Sequence, residues 1–148
     1  MAGFAAIGLY GAKRDANVGG ALRAAHCFGA RLVVVEGARY RRAATDTTAA
    51  FRTIPLVHAP LFDAIPFDCV PVAVEISDGA VSLPEFVHPA RAFYIFGPED
   101  GSVPAHVIER CKHVVAVPTA YCLNLAATVN VLLYDRAAKA RLAVRAAA

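Results

Sequence analysis

Residues 118–141 read PTAYCLNLAATVNVLLYDRAAKAR. Small and polar residues open the stretch, and a long helical pattern follows. Leu123, Ala127, Val131, Tyr134, Ala138 and Leu142 recur at steps of three and four, the spacing of one helix face. Asn124 falls in the first turn, where its amide either caps the helix or faces a ligand. Two earlier polar constellations each follow an apolar, strand-like run. They are N-x-G-x-x-x-R, from Asn17 to Arg23, and G-P-E-D-G, from Gly97 to Gly101. We read all three as rims of one pocket.

The rest of the chain supplies the frame. Residues 4–10 are a short apolar run ending at Gly11 and read as a buried strand. A polar loop over residues 11–18 leads to Gly19 and Gly20, which open a helix stopping at Gly29. Residues 31–36 form a second strand, giving strand, loop, helix and strand at the length of a right-handed parallel unit. Residues 37–53 carry a short helix in their middle. A brief strand is expected at 55–58, a short helix at 60–65, and strands at 69–76, 91–96 and 113–117. Ser77-Asp78-Gly79 marks a turn, and a helix runs from Pro104 to Cys111. Alternation of strands and helices predicts an α/β fold, a mostly parallel sheet covered on both faces by helices. Four loops leave the carboxyl ends of these strands, where such sheets bind ligands.

The 148 residues suit one domain, spanning 1–148, with a real core. Apolar residues make up 57% and charged residues 18%, which describes an ordered chain rather than a disordered tail. The net charge of +3 permits an anionic partner without demanding one. Cys27, Cys69, Cys111 and Cys122 form no C-x-x-C pair, so reduced thiols in a cytoplasmic protein are expected. The uncharged stretch 114–134 is as long as a membrane span, but Pro118, Thr119, Asn124, Thr128 and Asn130 interrupt it, and no membrane association is expected. The N-terminus has no basic region before its apolar run and no clear cleavage site, so no secretory signal is expected.

Several polar groups admit two readings. Arg23, beside a glycine-rich helix start, grips a phosphate or is a surface arginine. Glu99 and Asp100 belong to a ligand-facing turn or cap the following helix. Cys122 reads as a buried inert thiol in preference to a nucleophile, because no local signature names a base among His26, His58, His88, His106 and His113. No histidine pair has metal-ligand spacing, so no metal is expected. Basic groups gather at Arg39, Arg41, Arg42 and Arg52, and again at Arg136, Lys139, Arg141 and Arg145. The second group also suits a helix C-terminus. With Lys13 and Arg14 these groups form a track for a phosphate backbone.

Three segments in order, NVGGALRAA (17–25), FGPEDG (96–101) and VPTAYCLNLA (117–126), resemble the signature motifs of the SPOUT methyltransferases. The resemblance is to the SpoU/TrmH branch of RNA ribose 2′-O-methyltransferases, and in size to the minimal TrmL-type tRNA enzymes. It implies a deep trefoil knot in the C-terminal part, a homodimer, and S-adenosylmethionine as cofactor. Carried over residue by residue, the cofactor positions are Glu75, Ile76, Gly97, Pro98, Glu99, Gly101, Val117, Cys122 and Leu123. Asn17, Arg23, Glu99 and Asn124 match the polar catalytic positions, and in the family the arginine often comes from the partner subunit. Arg14, Arg39, Arg41 and Arg42 are the expected RNA contacts. Two positions depart from the pattern: Cys122 stands where serine is common, and a glycine comes one position early at Gly101. The implied activity is methyl transfer to a ribose 2′-hydroxyl of tRNA, at the wobble position by analogy. Ribosomal RNA, a non-catalytic RNA-binding module and a Cys122 hydrolase are the alternatives.

Overall fold

Alternating side chains decide how the sheet is buried. In the computed structural model, which describes residues 3–37, 39–41 and 45–147, the run Phe4–Ala12 forms β1 and Arg91–Phe96 forms β6. Ile7 and Leu9 of β1 face one core with Tyr94 and Phe96 of β6, while Ala6 faces a second core with Phe93 and Ile95. A strand apolar at every position has to be covered on both faces.

The cover comes from α1 (Asp15–Phe28) and α3 (Leu125–Ala146) on the first face. The second face takes α2 (Ala105–Ile108) and a 3₁₀ turn at Leu61–Asp63. Five further strands complete the sheet: β2 (Val33–Gly37), β3 (Leu56–His58), β4 (Val70–Val74), β5 (Val81–Ser82) and β7 (His113–Ala116). The order is β3-β2-β1-β6-β4-β7-β5, and every pairing is parallel. Late strands therefore slot between earlier ones: β6 lies between β1 and β4, and β7 between β4 and β5.

The expected α/β class with a parallel sheet is what the structure has, and several details differ. The first helix starts at Asp15 rather than at Gly19, so Asn17 sits in its first turn and not in a loop. The Arg14 carbonyl accepts the Asn17 and Val18 N–H groups, and Asp15 places its charge at the positive end of the helix. Gly20 has another purpose than opening the helix. A Cβ there would lie 2.7 Å from Cβ of Ala126, so the glycine lets α1 press against α3. The helix expected at 60–65 shrinks to the 3₁₀ turn between Pro60 and Pro66, and that expected at 104–111 to α2. In the 37–53 segment the helical part is a 3₁₀ turn at Ala50–Arg52 capped by the buried Asp46 carboxylate; residues 38 and 42–44 lie outside the described residues. Strand β5 is too short for a periodicity signal. Among the described residues no helix is long and apolar enough to cross a membrane.

The largest correction concerns α3. Its buried stripe is Leu125, Val129, Leu132 and Leu133, not the series through Val131, Tyr134 and Leu142, which is exposed. The helix carries apolar residues on more than one side, and spacing alone does not say which side the core takes. Its basic residues differ from expectation as well. Arg136 donates to the carbonyls of Pro89 and Ala90, and Lys139 to those of Leu83 and Phe86, so both clamp the 83–90 segment rather than track phosphates.

Between these clamps lies a half-buried polar chain. His88 is hydrogen-bonded at Nδ1 to the Tyr94 hydroxyl (2.7 Å) and at Nε2 to the Asp135 carboxylate (2.9 Å). Arg136 Nη1 donates to the same hydroxyl and Lys139 pairs with Asp135. A neutral ring that donates from Nε2 and accepts at Nδ1 satisfies both partners. Burial lowers the His88 pKa, outweighing the pull of Asp135, and burial pushes the Tyr94 phenol up to about 12. The unfolded chain thus binds a proton at His88 more readily than the native one, and stability falls as pH drops below the ordinary histidine value of about 6.5. Denaturant titrations across this range should show that loss in the native chain and a flatter profile in His88→Gln.

Candidate active site

Glu99 follows β6 in a loop that folds back tightly on its own backbone. A Cβ at Gly97 would lie 2.8 Å from the Val103 nitrogen, so only glycine permits that return. The Glu99 carboxylate accepts from three donors of the β1–α1 connection: Lys13 N (3.0 Å), Arg14 N (3.1 Å) and Asn17 Nδ2 (2.8 Å). Asn17 Oδ1 in turn accepts from Asn124 Nδ2 at 2.8 Å. Asn124 is the N-cap of α3, and its Oδ1 accepts from the N–H groups of Ala126 and Ala127. A continuous hydrogen-bonded chain thus runs from the N-terminus of α3 through two amides to one carboxylate. Burial opposes the Glu99 charge, but the bonds from Asn17, Lys13 and Arg14 overcome it and hold the carboxyl below its usual range.

Beside this chain opens a cavity of about 390 Å³. Its walls are the ends of β4 and β6, the 97–102 loop, the 117–123 segment and the first turns of α3. Glu75 sets the far wall: its Oε2 accepts Val103 N–H at 2.6 Å and its Oε1 accepts Ile76 N–H at 2.9 Å. Ile76 and Leu123 line the cavity while remaining 59% and 41% exposed, an apolar lip that protein leaves uncovered. At the rim Lys13 Nζ meets Asp100 at 2.7 Å, and this pairing lowers the Asp100 pKa. Both partners are well exposed, so the pair adds little to stability.

The model of the SpoU rRNA Methylase family matches residues 5–134. The chain belongs to this family. Among solved structures, the A. aeolicus TrmH/SpoU tRNA modifying enzyme superposes over 93% of this chain and 75% of its own, with TM-score 0.82 and 15% identity. The SpoU methyltransferase AviRb from Streptomyces viridochromogenes, in complex with AdoMet, gives TM-score 0.81 at 19% identity. There the match covers 95% of this chain and 62% of AviRb, so the chain spans less than two thirds of that relative's length. A structure described as giving insights into the 2-OH methylation of C/U34 on tRNA gives TM-score 0.79 at 20% identity, over 94% of this chain and 92% of its own. No curated protein matches by sequence.

In this SpoU-family chain the structure links Glu99 and Asn124 through Asn17, which is hydrogen-bonded to both. Glu75, Ile76, Gly97, Pro98, Glu99, Gly101, Val117, Cys122 and Leu123 all line this same cavity. Cys122, expected to be buried, is exposed there instead. Arg23 does not join the group. Six residues beyond Asn17 it points about 120° away around the helix, exposed, with no hydrogen bond or ion pair among the described residues. Arg14 and Arg39 are exposed as well, while Arg41 is held by Asp15, which accepts from its backbone N–H (3.0 Å) and its Nε (3.1 Å). Arg42 lies outside the described residues. Reading the sequence missed Ser102 and Thr128 on the cavity wall. Thr128 was findable, since it stands four residues after Asn124 on the same face of α3. Among the described residues no group of three His, Cys, Asp or Glu side chains is placed to hold a metal ion.

Because the folded-state pKa of Glu99 is depressed, its contribution to stability is complete above the ordinary carboxyl range and is lost as pH falls through the lowered value. A carboxyl-carbon NMR titration should find the Glu99 midpoint below that of an exposed glutamate. Asn17→Ala, which removes one of the donors, should raise it and cost about 1–2 kcal/mol of stability.

Proposed function

We propose that this chain is an S-adenosylmethionine-dependent RNA methyltransferase acting on a ribose 2′-hydroxyl, with tRNA as substrate. The observation that carries the reading is the cavity walled by the 97–102 and 117–123 segments, lying against the Asn17–Asn124–Glu99 chain. Its volume, about 390 Å³, falls in the span of roughly 300–1,000 Å³ usual for cofactor clefts. Val74, Ile76, Leu123 and Leu125 offer apolar surface for the flat faces of a nucleoside, and the backbones around Gly97, Gly101 and Val117 offer polar groups for its edges. The residues fit the cofactor, which when bound supplies an electrophilic methyl group on a sulfonium. For tRNA, the support is the extent of the match to the structure concerned with C/U34 on tRNA, 92% of that chain. A knotted C-terminal part belongs to the same reading, and the late strands β6 and β7 lying inside the sheet support it.

The chain's own residues divide the work. Glu99 has its two oxygens committed to Lys13, Arg14 and Asn17, so its role is to lock the β1–α1 connection against the cofactor loop. Asn124 fixes the third loop to the same point through its cap. Arg23 grips the phosphate beside the acceptor ribose and stabilises the developing alkoxide. It is not the base, because a guanidinium keeps its proton to a pKa above ~12. Arg23 does not line its own chain's cavity, so in this reading the arginine that serves each site comes from a second copy. The uncovered apolar side of α3 suits that pairing: Tyr134 is 64% exposed and Leu142 is 62% exposed.

Four measurements test this. Titration calorimetry with S-adenosylmethionine should give saturable heat, and mass spectrometry of tRNA nucleosides from cells lacking the protein should reveal one missing ribose methyl. No heat at high protein concentration sinks the enzymatic reading. In turnover assays Arg23→Ala should lose about a hundredfold or more in kcat with cofactor affinity unchanged. Mixing it with an inactive Asn124→Ala chain should restore activity if the arginine acts across subunits; mixtures as dead as the parents would overturn that arrangement.

A further inference from the structure

A second, smaller cavity of about 90 Å³ lies on the α2 side of the sheet, at the carboxyl ends of β1 and β2. Tyr10 and Glu36, direct partners in the parallel register, form its inner wall. Nothing in the proposed methyl transfer uses either residue. Glu36 Oε2 accepts the Leu61 N–H at 2.7 Å, and Oε1 has no hydrogen-bond partner among the described residues. Planar groups line the same cavity. Arg110 sits over the Phe62 ring at 3.7 Å, and Tyr10 meets His106 edge to face, centroids 6.1 Å apart at 72°.

Such walls accept a flat heteroaromatic ring whose edge donates a hydrogen bond. The volume favours one ring over two. A phosphate would have to approach both Glu36 and Asp63, which line the same cavity, and Coulomb repulsion disfavours it. A metal ion is disfavoured too, because no three suitable ligands converge among the described residues. Of the pyrimidines, cytosine presents an N4 amino donor, the group that a glutamate reads, whereas uracil presents a carbonyl oxygen at that position. Tyr10 and Glu36 each precede a glycine, and a Cβ at Gly11 would stand 3.8 Å from Cβ of Pro98 on the wall of the larger cavity. One rim of loops therefore borders both cavities.

We propose that the Tyr10–Glu36 cavity is a specificity subsite that receives a cytosine base of the RNA substrate, at a nucleotide other than the one methylated, with its amino group donating to Glu36. The inference rests on the reading of the chain as an RNA-modifying enzyme. It is tested on the ¹⁵N-labelled full chain by titrating cytidine 5′-monophosphate and uridine 5′-monophosphate at millimolar concentration. Amides of Tyr10, Glu36, Leu61 and Arg110 should shift with the cytidine nucleotide and stay in place with the uridine one. Glu36→Gln should abolish the difference between the two. Equal responses in the native chain, or no response at these amides, would overturn the proposal without any reliance on the variant. S-adenosylmethionine added to the same sample reports separately at residues 97–101. A response there with silence at Tyr10 and Glu36 removes the cytosine subsite and leaves methyl transfer standing. The reverse pattern supports the subsite and removes the methyl-transfer reading.

Discussion

One carboxylate joins what the chain separates. Glu99 takes hydrogen bonds from Lys13, Arg14 and Asn17, more than eighty residues earlier, and Asn17 passes the connection on to Asn124. Asn17 and Asn124 each donate through Nδ2 and accept through Oδ1, so each bond along their line polarises the next. The series begins at the positive end of α3 and finishes on a negative charge, the direction that the helix dipole favours. Three loops that emerge from the sheet at different points are thereby held in one arrangement. The larger cavity owes its shape to that restraint: its walls are loops, and loops keep a shape only when something ties them.

Much of the architecture was legible because burial on two faces leaves a plain mark. The apolar run 92–96, closed by Gly97, reads as a buried central strand, and the expected bounds 91–96 agree with the structure at both ends. The convergence of Asn17, Glu99 and Asn124 was legible in kind, since all three follow strand ends. Partners were not. Nothing in a sequence says that Glu99 faces Asn17 instead of capping the next helix, because both choices satisfy the same acceptor. Strand order was likewise invisible: local periodicity does not reveal that β6 enters between β1 and β4.

Two misreadings share a cause. The stripe through Val131, Tyr134 and Leu142 has good helical spacing, and so has the stripe through Leu125, Val129 and Leu132. Spacing identifies a helix and leaves its rotation open when apolar residues lie on several sides. Arg136 and Lys139 were misjudged because a long basic side chain counts as charge in a sequence and as a bundle of donors in a structure. Both spend those donors on carbonyls of the 83–90 segment. Among the cations that remain exposed, Arg14 and Arg39 border the loops at the carboxyl edge and Arg23 lies on α1.

The two outermost strands of the sheet, β3 and β5, are only three and two residues long. A parallel sheet with longer margins would offer unpaired N–H and C=O groups as a template on which a stray segment could zip up. Here the flanks taper almost to nothing, which makes self-templated aggregation through them a poor route. A chain that is 57% apolar has good reason to close that route, and it does so by brevity rather than by charge.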